Sequence, residues 1–158
     1  MIVLGLDTAT RSCGYGVLNV NLDASGHRYR YRECGVLTSD FADPVSRYCE
    51  IVTEVENLVR EHRPARAVLE LHSFGVGRNA IGLHELGGAL AVSLRRICGD
   101  VIRLRPGTWR KATFGRGRAT KAEAIAWVRA QLGVELRDNQ DDEAEALCLA
   151  VAGARWTP

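Results

Sequence analysis

Apolar and polar positions along the chain change period more than once, and each change marks an element. The apolar run from Ile2 ends in an acid at Asp7, and a second run, Gly14 to Val20, follows a turn containing Ser12 and Gly14. Alternation around Tyr29, Tyr31, Val36 and Leu37 marks a third. Together these predict three strands opening an antiparallel sheet. After Asp43 and Pro44 the spacing becomes helical through Val45, Tyr48, Val52, Val55, Leu58 and Val59, until the breaker Pro64. Ala67 to Leu71 is apolar except for Glu70, the pattern of a buried strand carrying one carboxylate near its end.

Leu83, Leu86, Leu90, Leu94 and Ile97 predict a helix over Gly82 to Ile97, and Val101 to Leu104 a fifth strand. Pro106 to Arg118 reads as a Gly-rich basic loop, followed by helices over Thr120 to Leu132 and Gln140 to Arg155. The order predicts an α/β fold, a mixed five-stranded sheet flanked by helices, compatible with a ribonuclease H-like architecture.

Composition sharpens this picture in two ways. A length of 158 residues with 46% hydrophobic positions fits a single domain over 1–158 with a substantial core. No charged segment leads into an apolar run and no apolar stretch approaches a membrane span, so a cytoplasmic protein is expected. Cys13, Cys34, Cys49, Cys98 and Cys148 are odd in number and hold no C-x-x-C pair, which argues against a disulfide framework or zinc site and for small core residues.

The net charge of +2 conceals a strong asymmetry. Val101 to Ala122 holds no acid but seven cations, Arg103, Arg105, Arg110, Lys111, Arg116, Arg118 and Lys121. Asp138, Asp141, Asp142, Glu143 and Glu145 then reverse the sign. A phosphate-binding surface beside a metal centre needs such a pairing, although two solvated surfaces would look the same.

Four acids stand out. Phosphodiester hydrolysis can use two magnesium ions about 4 Å apart, held by carboxylates from several chain segments. Asp7 closes the first strand, Glu70 interrupts the fourth, and Asp142 and Glu145 stand at i and i+3 of the last helix. In that helix Ala144, Leu147, Cys148 and Val151 form the expected buried stripe, with the two acids on its margin. Like charges 4 Å apart repel by about 4 kcal/mol at an effective dielectric of about 20, which a cation would relieve. Each acid also has a plainer explanation: Asp7 as a turn cap, Glu70 as an arginine's partner, and the acids opening the last helix as complements to its dipole.

Gly5 to Leu18 (GLDTATRSCGYGVL), the Leu69-Glu70 strand and Asp142 to Ala150 (DEAEALCLA) resemble the successive motifs of RuvC-type Holliday junction resolvases, in order and spacing, over nearly the whole chain. The resemblance implies a ribonuclease H-like homodimer that nicks opposite strands of a four-way junction, with forks and flaps as further branched DNA substrates. It implies two divalent metals per subunit, Mg2+ with Mn2+ substituting, held by Asp7, Glu70, Asp142 and Glu145. Glu145 departs from the aspartate usual in the cellular enzymes, and Asp141 and Glu143 offer alternative registers. A compact length also suits a bacteriophage member acting alone.

The chain has only two lysines, Lys111 and Lys121, both in or beside the acid-free stretch. Lysine brings a compact mobile charge where arginine brings a fixed fork, and in the resembling family lysines of this region contact the scissile strand. Lys121 is therefore placed with the catalytic set, and Lys111, Arg110, Arg116 and Arg118 with DNA binding. Gly115 and Gly117 would let backbone amides approach phosphates. Phe74 and Arg78 lie after Glu70 on a segment suited to a branch point, where Phe74 would stack on or wedge between bases. His72 and His84 are given no catalytic role. Gly82, Gly87 and Gly88 each weaken a helix by about 1 kcal/mol relative to alanine, so that helix packs closely either on its own sheet or on a second subunit.

Two rivals share parts of the pattern. GLDTAT also resembles the first motif of the sugar-kinase and actin-like superfamily, which would make the chain a non-catalytic binding subunit, but that reading has no use for Glu70, Asp142 or Glu145. A YqgF-like nuclease acting on RNA shares the fold and acids, and the basic segment with its lysine pair favours DNA.

Overall fold

The computed structural model describes residues 1–24, 26–72 and 78–157, and side chains of the helix opening at Arg78 are described from Ile81 onward. Its strands are β1 (Ile2–Thr8), β2 (Ser12–Asp23), β3 (Gly26–Thr38), β4 (Arg66–Glu70) and β5 (Val101–Leu104). The helices are α1 (Pro44–His62), α2 (Arg78–Ile97), α3 (Pro106–Phe114), α4 (Lys121–Leu132) and α5 (Asp141–Arg155). Sheet order is β3-β2-β1-β4-β5, with β1 to β3 antiparallel and β4 and β5 running parallel to β1. The expected mixed five-stranded α/β sheet is therefore present.

Period-two alternation divides the strand side chains between two cores. Leu4, Leu6, Val17, Ala67 and Leu69 pack against α1 and α2, while Val3, Leu18, Val20 and Val68 pack against α3, α4 and α5. By the same alternation Asp7 and Glu70 fall on the α5 face.

Two readings need correction. Pro106 to Phe114 is a helix, not part of a loop: Pro106 sits at its first turn, Trp109 and Thr113 bury one face at i,i+4 spacing, and Gly115 ends it at φ 76°. Helix α5 does not present a single stripe but is buried on all sides from Glu143 to Ala154, because the sheet covers one side and α3 and α4 the other. Small residues make this possible. A β-carbon on Gly5 would stand 2.0 Å from the carbonyl oxygen of Ala146, so only glycine lets the helix backbone lie directly on β1. Among the cysteines, Cys13 and Cys148 are core residues as expected, Cys34 and Cys98 are half-buried, and Cys49 is exposed.

Candidate active site

Three elements deliver the four acids to one end of the sheet. The parallel register pairs Leu6 with Leu69, so Asp7 and Glu70 follow as neighbours, one residue further on each strand. Across the antiparallel ladder Asp7 faces Gly14. A β-carbon on Gly14 would stand 2.6 Å from the carbonyl oxygen of Asp142, which places the first turn of α5 against β2 beside Asp7. One helical turn further, Glu145 is buried at 5% exposure.

The electrostatics report the same convergence. Asp7 keeps an edge open to solvent, yet its carboxyl is held well above the usual carboxylate range, first by burial and then by Glu70, Glu145 and Asp142, with Lys121 opposing them. The other four residues assigned to catalysis from sequence thus all act on Asp7.

Each remaining acid is held by a partner. Trp109 Nε1 donates to Glu70 Oε2 at 2.7 Å, and His72 Nδ1 lies 3.4 Å from Glu70 Oε1. The other ring nitrogen of His72 is 2.7 Å from Thr8 Oγ1. Arg110 donates to Glu145 Oε1 at 2.7 Å, with its guanidinium 4.7 Å over the Trp109 ring. Lys121, at the first position of α4, bonds Asp141 and lies 3.5 Å from Asp142 Oδ1. Those acids, Asp141 first, push the ammonium pKa up, so Lys121 is a permanent cation at the rim.

A set of hard carboxylate oxygens, partly desolvated and mutually repelling, fits a divalent cation such as magnesium. Away from these acids, Glu33, Glu61 and His62 are the group that, among the described residues, brings ligand atoms within 4.8 Å of one another. There His62 Nε2 lies 2.9 Å from Glu33 and Tyr15 donates to Glu33 at 2.7 Å, so the group acts as a strut between β2, β3 and the end of α1.

The basic residues separate into two groups. Arg110, Arg116, Gly117, Arg118 and Thr120 line a groove of about 460 Å³. Arg110 is committed to Glu145 inside the site, and Arg116 to Glu123. Lys111 and Arg118 are exposed. Gly115 serves the positive φ that ends α3, and a β-carbon on Gly117 would come within 3.3 Å of the Gly107 carbonyl oxygen, so both glycines first serve the turn itself. Phe74 lies outside the described residues, as does the Arg78 side chain. Sequence reasoning missed Trp109. A tryptophan in an otherwise polar, basic segment was the available signal, since a buried indole N–H needs an acceptor.

Comparison with known proteins places this geometry in a family. The family model described as "Crossover junction endodeoxyribonuclease RuvC" matches residues 3–153. The crossover junction endodeoxyribonuclease RuvC of Synechococcus sp. strain WH7803 is 29% identical over 154 residues, covering 97% of both chains. The Thermus thermophilus RuvC structure superposes with a TM-score of 0.82 at 25% identity, covering 98% of this chain and 93% of that one. T. thermophilus RuvC in complex with Holliday junction substrate gives a TM-score of 0.80 at 23% identity over the same shares, and supports the ribonuclease H-like fold. With the match spanning the strands, α5 and every acid described above, the chain belongs to the crossover junction endodeoxyribonuclease RuvC family.

Proposed function

We propose that this protein is a metal-dependent endonuclease that resolves four-way DNA junctions by paired, symmetric nicks in opposite strands, with residues 1–158 forming one nuclease domain. The observation that carries the reading is the convergence of Asp7, Glu70, Asp142 and Glu145 at one end of the sheet, with Lys121 beside them. These four acids would hold two magnesium ions, with manganese substituting. When bound, the ions supply Lewis acidity and an activated water for attack on phosphorus.

The chain's own residues do the positioning. Asp7, at the centre of the cluster, is poorly neutralised by protein cations, because among the described residues the three acids around it outweigh Lys121. Lys121 keeps its charge where the scissile phosphate must approach the acids, and Lys111 and Arg118 offer exposed cations to the flanking backbone. Arg110 occupies Glu145 from the side of α3 and has to yield or share that carboxylate when a cation binds.

A homodimer follows from the two-fold symmetry of the substrate. Helix α2 exposes Ile81, Val92 and Ile97, at 62%, 60% and 42%. Gly88 is half-buried and a β-carbon on it would meet nothing within 4 Å, so packing on the protein's own sheet does not account for this glycine, whereas close approach of a second α2 would. No helix among the described residues is long and apolar enough to cross a membrane, and action on cytoplasmic DNA fits that.

The test compares synthetic four-way junctions, forks, flaps and RNA–DNA hybrids, each with magnesium or manganese. Symmetric nicks in the four-way junction, with 5′-phosphate and 3′-hydroxyl ends, are expected. Glu70→Gln should bind the junction and leave it intact; failure of the wild-type protein to cut any branched DNA refutes the proposal.

A further inference from the structure

Helix α3 reaches two of the acids through consecutive residues, and it treats them differently. Arg110 meets Glu145 with a full positive charge. Trp109 meets Glu70 with a neutral N–H. A cation on a carboxylate competes with a metal ion for it, whereas an indole donor never titrates and does not repel one. An ionised carboxylate has about four lone-pair sites, so a single donor leaves the others available.

Trp109 is also more than a core filler. It is fully buried, it packs on Phe114 at a ring separation of 6.0 Å, and the Arg110 guanidinium lies 4.7 Å over its ring. Phenylalanine would supply most of that packing. The N–H is the part of the side chain that packing does not require, and its acceptor is Glu70 Oε2 at 2.7 Å. Among the described residues a second neighbour of this carboxylate, His72, stands 3.4 Å from Oε1, beyond a strong hydrogen bond. Trp109 therefore supplies the short, fixed contact on Glu70. Thr113, one turn along α3, donates to the Cys148 carbonyl at 3.0 Å and ties the helix to α5.

We propose that Trp109 is the positioning residue of Glu70: its indole N–H fixes one carboxylate oxygen against α3, so that the remaining lone pairs are set toward the acid cluster before a cation arrives. The inference rests on the metal-dependent reading above. Donors of this kind, one bond removed from the metal, typically contribute about 10- to 100-fold in metal affinity.

The test is Mn2+ titration of the full-length protein by calorimetry, without DNA. Trp109 is replaced site-specifically by benzothienylalanine, which keeps the outline of the indole and has sulfur in place of N–H. Mn2+ affinity should fall by about tenfold or more, with the unfolding midpoint little changed, and junction cleavage should recover at saturating Mn2+. Trp109→Phe should weaken binding in the same direction. Phe114→Leu, which damages the same core without touching Glu70, should lower stability and leave Mn2+ affinity intact. Wild-type affinity in the benzothienyl variant overturns the inference, even where the wild-type protein cuts junctions normally. Absence of Mn2+ binding by the wild-type protein overturns the metal-dependent reading itself, and the inference with it.

Discussion

Replacing Gly14 by alanine isolates the contact that seats α5 beside Asp7. The added methyl would stand 2.6 Å from the carbonyl oxygen of Asp142 and 2.8 Å from its carbonyl carbon, where ordinary contact begins at 3.4 Å. The methyl is fixed to the strand backbone and its two nearest contacts are helix backbone, so no rotamer change relieves the clash; strand and helix must part by about 0.8 Å. Overpacking of this kind costs about 1–3 kcal/mol, and in a chain of this size each kcal/mol lowers the unfolding midpoint by about 2–4 °C. The effect on activity should be larger, because the separation falls on Asp142, which lies against Gly14, the residue directly across the ladder from Asp7. A misplacement of about 1 Å can cost 10²-fold in rate. Single-turnover cleavage of a four-way junction, at saturating protein and magnesium, should therefore slow by about 100-fold while the protein remains folded and binds the junction. A folded Gly14→Ala protein that cuts at the wild-type rate would refute the claim that the seating of α5 sets the acid geometry. Gly5→Ala, with its methyl 2.0 Å from the Ala146 carbonyl oxygen, should instead fail mainly in stability.

Three further outcomes are expected. Because Asp7 has a raised folded-state pKa, the folded protein binds its proton more tightly than the unfolded chain, so the metal-free protein loses stability as pH rises from the ordinary carboxylate range through that raised value. Asp7→Asn should accordingly raise the metal-free unfolding midpoint at pH 8 and abolish cleavage, with the stability gain vanishing near pH 4, about the unperturbed aspartate pKa; thermal unfolding in EDTA across that range checks it. Val92→Asp, on the exposed face of α2, should yield monomers in analytical ultracentrifugation and unpaired nicks in place of resolved duplexes. Lys121→Ala should reduce the log–log salt slope of junction binding by about one, and an unchanged slope would make it a surface lysine without a phosphate contact.

The strands and most helices were legible because their patterns were pure. Val101 to Leu104 is an uninterrupted β5, and Thr120 with Glu123 closes a capping box where the helical spacing of α4 begins. Helix α3 was obscured because Pro106, Gly107 and its cations mask the Trp109 and Thr113 pair, the two residues it buries most deeply. Asp7 and Glu70 could be singled out from strand position together with the motif resemblance, since strand position alone also suits a turn cap and an arginine's partner. The commitment of Arg110 to Glu145 could not be, because it depends on how α3 crosses α5 and leaves no trace in local spacing. The same is true of which acids of α5 reach Asp7: Glu145 and Asp142 act on its carboxyl, while Asp141 is drawn to Lys121 from α4.

Helix α5 has a consequence for how the molecule comes into being. It is both the centre of the core on its side of the sheet and the carrier of two of the four acids, yet it is formed from residues 141–155, while the strands it lies on come from the beginning of the chain. Contacts so distant in sequence form late in folding, after the loop-closure entropy has been met. A growing chain that has not yet reached Asp141 lacks the packing that completes the fold and half of the acid cluster together. On the proposed reading, competence to cut would then arise together with the packing of α5 on the sheet.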